Sequence, residues 1–175
     1  MHNRRYRRLI AAATVLASAA VLTACSSQVS TSPPPASSAQ PEVAVEELVS
    51  QWVAAWESGD AEGMAELFTE DGVYVDNAFS AEQVGQEQVA QWVQLTHQGF
   101  ADADAEVHDV IASAEGIAIS WTFSAHMRGA PSAFSVPATT HMELDGGLIE
   151  RNTDTYNLAD LLRQSGLPAE YTPGT

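Results

Sequence analysis

Two aspartates stand where carboxylates can do acid–base work. Asp154 falls within Ile149-Glu150-Arg151-Asn152-Thr153-Asp154-Thr155-Tyr156, whose composition predicts a strand. Strand alternation places Asn152, Asp154 and Tyr156 on one face. Aspartate is uncommon in strands. One turned into a closed interior loses water, which raises its pKa toward a value useful to a general acid or base. The structural alternative is an acid facing solvent or paired with Arg151. Asp76 ends the short strand Val73-Tyr74-Val75-Asp76, although Asp76-Asn77 equally suits a bend. Two carboxylates converging on one apolar pocket push their pKa values apart and supply an acid and a base. That constellation suits proton abstraction beside a carbonyl: enolisation, isomerisation or intramolecular aldol closure.

Around these acids the sequence offers large rings. Trp52, Trp56, Phe68, Trp92 and Trp121 recur at spacings that make ordinary core, and together they could equally wall a cavity for a flat molecule. Tyr156 can donate a hydrogen bond within it. Of His97, His108, His126 and His141, only His97, near the end of a predicted helix, is expected at a pocket rim. Strand parity turns His141 away from the face that carries Thr140. No His-x-x-x-His spacing, nucleophile elbow or glycine-rich phosphate loop is present. The reading therefore calls for no metal and no cofactor. Asp102, Asp104, Glu106 and Asp109 read as a solvated loop and strand edge.

The elements that must position these groups follow from periodicity. Val45, Leu48, Val49, Trp52, Val53 and Trp56 form one apolar stripe of a helix running from Val43 through Glu57. Ser58-Gly59 ends it, and Asp60 can cap a short second helix carrying Met64, Leu67 and Phe68. Glu70-Asp71-Gly72 predicts a turn, and Gly85 opens a third helix with Val89, Trp92, Val93 and Thr96 on one side. Strands are then expected over roughly Ala105–Ala112, Ile117–Arg128, Phe134–Leu144 and Leu148–Asn157, followed by a helix over Leu158–Gln164. Three helices followed by an antiparallel meander make an α+β domain in which a sheet packs its inner face on helices.

Charge is distributed unevenly. The 175 residues carry a net charge of −16, yet four of the seven basic residues (Arg4, Arg5, Arg7, Arg8) fall in the first eight positions. Beyond them stand 23 acids against Arg128, Arg151 and Arg163, with no lysine, for a net charge of −20. Such a body has no electrostatic footprint for nucleic acid and is repelled by anionic membranes. The basic start, the apolar run Leu9–Val21 and Leu22-Thr23-Ala24-Cys25 describe a secretory signal. The last four residues resemble the bacterial lipobox, which implies cleavage before Cys25 and its diacylation. Ser26–Pro41 holds six Ser and four Pro, a composition that predicts an extended tether. The expected organisation is a signal peptide over 1–24, lipidated Cys25 and tether over 25–41, a domain over 42–168 and a tail over 169–175.

Within that domain, Leu67-Phe68-Thr69-Glu70-Asp71-Gly72-Val73-Tyr74-Val75-Asp76, after a helix ending Trp56-Glu57-Ser58-Gly59-Asp60, resembles the start of the nuclear transport factor 2-like (NTF2-like) superfamily. Phe134-Ser135-Val136-Pro137, Glu143–Ile149, Asp154–Leu158 and Leu161–Leu167 resemble its SnoaL-like polyketide cyclase branch. The resemblance implies a cone: three N-terminal helices on a curved antiparallel β-sheet, with a pocket at the open end and a homodimer across the outer sheet face. It also implies that Asp154 matches a proposed acid/base aspartate. Leu67–Gly85 resembles the ketosteroid isomerase branch as well, placing Asp76 on a proton-shuttling carboxylate. The branch's oxyanion tyrosine falls on Trp52, and its protonated acid on Thr140. The epoxide hydrolase Arg and Asp fall on Ala138 and Thr140, where neither is kept.

These readings converge on a lipid-anchored, extracytoplasmic domain of the bacterial envelope. It is expected to bind a small, largely apolar, carbonyl-bearing molecule, with Asp154 and Asp76 moving protons and Trp52, Thr140 and Tyr156 orienting the substrate. The alternative is a non-catalytic ligand-binding or protein-docking domain.

Overall fold

The computed structural model describes residues 42–113 and 116–171. The expected signal peptide, lipidated Cys25 and tether lie outside the described residues. The elements run α1 Glu42–Ser58, α2 Ala61–Glu66, β1 Phe68–Asp76, β2 Ala81–Val84, α3 Gln86–Gly99, β3 Phe100–Ser113, β4 Gly116–Met127, β5 Phe134–Asp145, β6 Leu148–Tyr156 and α4 Leu158–Ser165. The result is an α+β fold with a curved, mostly antiparallel six-stranded sheet in the order β2-β1-β6-β5-β4-β3.

Two features differ from the sequence expectation. Phe68, expected on the second helix, opens β1, and Glu70-Asp71-Gly72 lies inside that strand as an irregularity rather than as a turn. The register shows why: Phe68 pairs with Ile149 and Val73 with Arg151, so extra β1 residues bulge out between two ladder contacts. Second, β1 lies parallel to β6, with the whole stretch from β2 to β5 serving as the crossover. The β1–β2 hairpin separates α2 from α3.

Local chemistry accounts for the element ends. Asp60 accepts a hydrogen bond from the Gly63 amide at 2.9 Å and caps α2. Asn157 accepts from the Asp160 amide at 3.1 Å and caps α4, which Gly166 closes in the left-handed conformation.

The main core lies between helices and sheet. Val45, Leu48, Val49 and Trp52 of α1, Met64 of α2, and Val89 and Val93 of α3 pack against Ile117, Ile119, Trp121, Met142 and Ile149 of the sheet. Each such side chain contributes about 1.5–3 kcal/mol of burial. A second cluster gathers Phe100, Ala125, Met127, Phe134 and Val136 under Leu161 and Leu162 of α4. Strand β5 alternates strictly, with Phe134, Val136, Ala138, Thr140 and Met142 buried and His141 exposed on the opposite face.

Candidate functional site

Three neighbouring strands bring the key polar groups into one row. Thr140 of β5 is the ladder partner of Asp154 on β6, and Asp154 is the ladder partner of Asp76 on β1. Both aspartates are buried, at 3 % and 5 % exposure. Like charges directly across a sheet repel, so this arrangement is held by its surroundings.

Those surroundings are hydrogen-bond donors. Asp154 Oδ1 accepts from Thr140 Oγ1 at 2.7 Å and from Asn152 Nδ2 at 2.9 Å, and Oδ2 accepts from the Tyr74 hydroxyl. Trp121 Nε1 donates to Thr140 Oγ1 at 2.9 Å, which orients the threonine proton toward Asp154. Asp76 Oδ1 accepts from the Phe79 amide at 2.9 Å, and Oδ2 from the Tyr156 hydroxyl at 2.8 Å. The tyrosines are thus crossed: Tyr74 of β1 serves the acid on β6, and Tyr156 of β6 serves the acid on β1.

Burial pushes Asp154 up to about 6 against the pull of Tyr74, Thr140 and Asn152, with the nearby Asp76 charge adding to the rise. Burial raises Asp76 as well, opposed by the Phe79 amide and the Tyr156 hydroxyl. Tyr74 and Tyr156 are held well above the usual phenol value, first by burial and then by the carboxylates. Both therefore remain protonated donors at neutral pH.

A cavity of about 590 Å³ opens over this row. Asp76 and Asp154 share its wall with eight aromatic residues, among them Trp56, Tyr74, Trp92, Trp121 and Tyr156. Buried Tyr74, Asp76, Trp121 and Asp154 form its deep end, while exposed Glu57, Leu95, Gln98 and Asp104 mark its mouth. A site of this size, mostly apolar with a few convergent polar groups, has the form of a small-molecule pocket.

The expected site residues divide accordingly. Asp154, Asp76, Trp56, Trp92, Trp121 and Tyr156 line the cavity together. Thr140 and Asn152 do not reach its wall; they stand behind Asp154 as its donors. Trp52 and Phe68 are fully buried in the core and line no part of it, which leaves Trp52 unable to orient a substrate. His97 is not at the rim: its Nε2 donates to the Trp56 carbonyl at 2.8 Å and ties α3 to the end of α1. Asp104 is exposed on the edge strand β3, as its solvated reading expects, and also stands at the mouth. Sequence reasoning passed over Tyr74, although alternation along Val73-Tyr74-Val75-Asp76 already puts it on the face of Asp76.

Comparison with known proteins follows the same lines. A family model described as a SnoaL-like domain matches residues 49–152. Among solved structures, a protein with a ketosteroid isomerase-like fold from Catenulispora acidiphila DSM 44928, in complex with trimethylamine, is 34% identical, with a TM-score of 0.71 over 73% of this chain and 98% of that one. TsrD from Streptomyces laurentii is 19% identical, with a TM-score of 0.65 over 73% and 98% of the two chains. An NTF2-like protein of unknown function from Burkholderia pseudomallei K96243 is 13% identical, with a TM-score of 0.63 over 69% and 96%. These last two show a shared fold. No curated protein matches the chain.

Proposed function

The chain belongs to the SnoaL-like domain family, and from that premise we propose that it binds a small, largely apolar, carbonyl-bearing molecule in the cavity over Asp76 and Asp154 and moves a proton on it without a cofactor. The observation that carries this reading is the pairing of the two buried carboxylates, in register on adjacent parallel strands, within one aromatic cavity. The Catenulispora relative's complex with trimethylamine supports a small-molecule role for the fold.

In this mechanism Asp154 is the base. A carboxylate has about four acceptor positions, and three are taken by Thr140, Asn152 and Tyr74. The remaining one lies on Oδ2, and Asp154 lines the cavity. It takes a proton from the carbon beside the carbonyl, and the enolate oxygen meets the Tyr156 hydroxyl, which exchanges its bond to Asp76 for one to the substrate. Re-delivery of the proton to another carbon completes an isomerisation; attack of the enolate carbon on a second carbonyl of the same molecule, whose oxygen then takes the proton back from Asp154, completes a ring closure. The base is the ionised form, so the rate rises with pH through about 6.

The test is deuterium exchange of 4-methylcyclohexanone in D2O, followed by proton NMR. The native protein is expected to exchange the α-protons faster than solvent does, and Asp154→Asn to remove that excess. Equal exchange by the two would overturn the mechanism. A second reading, a domain that holds its ligand without chemistry, draws on the three donors that already satisfy Asp154. It predicts ligand binding with no exchange in either protein.

The N-terminal sequence extends the proposal to location. The basic leader, its apolar run and the Leu-x-Ala-Cys sequence support export and diacylation at Cys25, which would hang the domain from a bacterial envelope membrane on the Ser/Pro tether.

A further inference from the structure

The charged residues in the cavity wall are all of one sign. Glu57, Asp76, Asp104 and Asp154 are acids, and the wall contains no Lys, Arg or His. Of the arginines among the described residues, Arg151 is paired with Glu82, Arg163 with Asp160, and Arg128 lies outside the wall. The described residues therefore supply no cation to offset the two buried carboxylates at the deep end. An anionic ligand would add a third negative charge there. A neutral one would leave their charge without a counter-ion, offset only by the hydrogen bonds from Tyr74, Thr140, Asn152, Tyr156 and the Phe79 amide.

The rings around the acids favour the remaining sign. Trp92 lies 6.5 Å from Tyr74, and Tyr74 lies 5.7 Å from Trp56. On the other side Trp121 lies 5.7 Å from Phe123, which lies 5.6 Å from Tyr156. All six line the cavity. Aromatic rings carry negative faces that attract an alkylammonium group, most strongly where water is excluded. A body with a net charge of −20 also draws cations toward the mouth.

We propose that the ligand of this cavity carries a small organic cation, a tertiary or quaternary alkylammonium group whose methyls pack on the rings and whose charge faces Asp76 and Asp154. The inference rests on the cavity being the ligand site proposed above and names the ligand's class. It does not depend on proton transfer.

Choline and 3,3-dimethyl-1-butanol test it, because they share a shape and differ by one nitrogen and one charge. Both are titrated by calorimetry into the full chain in non-ionic detergent. Choline is expected to bind about tenfold more tightly or better, and Trp92→Leu to bring the ratio to about twofold while the alcohol still binds. Equal affinities, a preference for the alcohol, or no choline binding up to about 50 mM would overturn the proposal. Should Trp92→Leu lose both ligands, Asp76→Asn decides: weaker choline binding with the alcohol unaffected supports the proposal, and unchanged choline binding overturns it. Choline preference without ketone exchange removes the catalytic mechanism and keeps this inference. Ketone exchange without choline preference does the opposite.

Discussion

Asp154 is pulled two ways: three donors favour its anion, and the loss of water disfavours it, and the loss of water wins. Tyr74→Phe removes one donor and nothing else from the wall. The carboxyl is then expected to titrate above about 6, at a cost in stability of about 1 kcal/mol. Carbon-13 NMR of the aspartate carboxyls checks the direction, and an unmoved midpoint would mean that Tyr74 does not bond to the anion. Stability should carry the same signature. Because the folded state binds this proton more tightly than the unfolded chain, the contribution is fully present below the ordinary aspartate range and is lost as pH rises through about 6. The native protein should therefore lose about 3 kcal/mol across that window from this group. Asp154→Asn should flatten that slope, as read by thermal melts from pH 4 to 8. An undiminished slope in the variant would assign the effect to other groups. The two aspartates were legible in sequence because a carboxylate in a strand is anomalous. Tyr74 was not, since a tyrosine is an ordinary strand residue, and its role arises only when β6, 80 positions away, lies beside it.

At the scale of elements, the site depends on the register between β1 and β6. That register is set where β1 is irregular, and Gly72 sits there with no room for a side chain. A Cβ at Gly72 would lie 2.9 Å from the Ile149 carbonyl oxygen and 3.1 Å from the Phe68 side chain. Backbone cannot yield as a flexible side chain does, so Gly72→Ala is expected to cost about 1–3 kcal/mol in denaturant unfolding. Because the displaced strand carries Tyr74 and Asp76, ligand affinity should fall as well. A variant of native stability and affinity would show that the bulge does not position the site. Sequence periodicity revealed α1 and strands β4 to β6, whose apolar residues follow periods of 3.6 and 2. It missed β2, because Ala81-Glu82-Gln83-Val84 has no strand signal of its own and is extended by pairing with Val73–Asp76. Phe68 and Glu70-Asp71-Gly72 misled for a related reason: helix and turn preferences are local, whereas the contacts that extend this segment come from Ile149 and Arg151. The parallel pairing of β1 with β6 leaves no mark in either segment, since strand direction within a sheet is a property of the whole chain path.

For the whole molecule, the acid content and the anchor belong to one argument. A body of 23 acids and three arginines is repelled by the anionic surface of a bacterial membrane. Protein–lipid electrostatics would carry the domain away from the bilayer, so the retention proposed above would have to come from acyl chains that insert regardless of surface charge. Each buried methylene contributes about 0.8 kcal/mol, and stable anchoring takes more than one chain, which is what diacylation at Cys25 would supply. The consequence is testable in bacteria that process lipoproteins. The native chain should incorporate radiolabelled palmitate, and Cys25→Ser, which keeps the apolar leader but has no thiol to acylate, should not, while the domain keeps its ligand affinity. Palmitate incorporation by Cys25→Ser, or none by the native chain, would remove the lipobox reading.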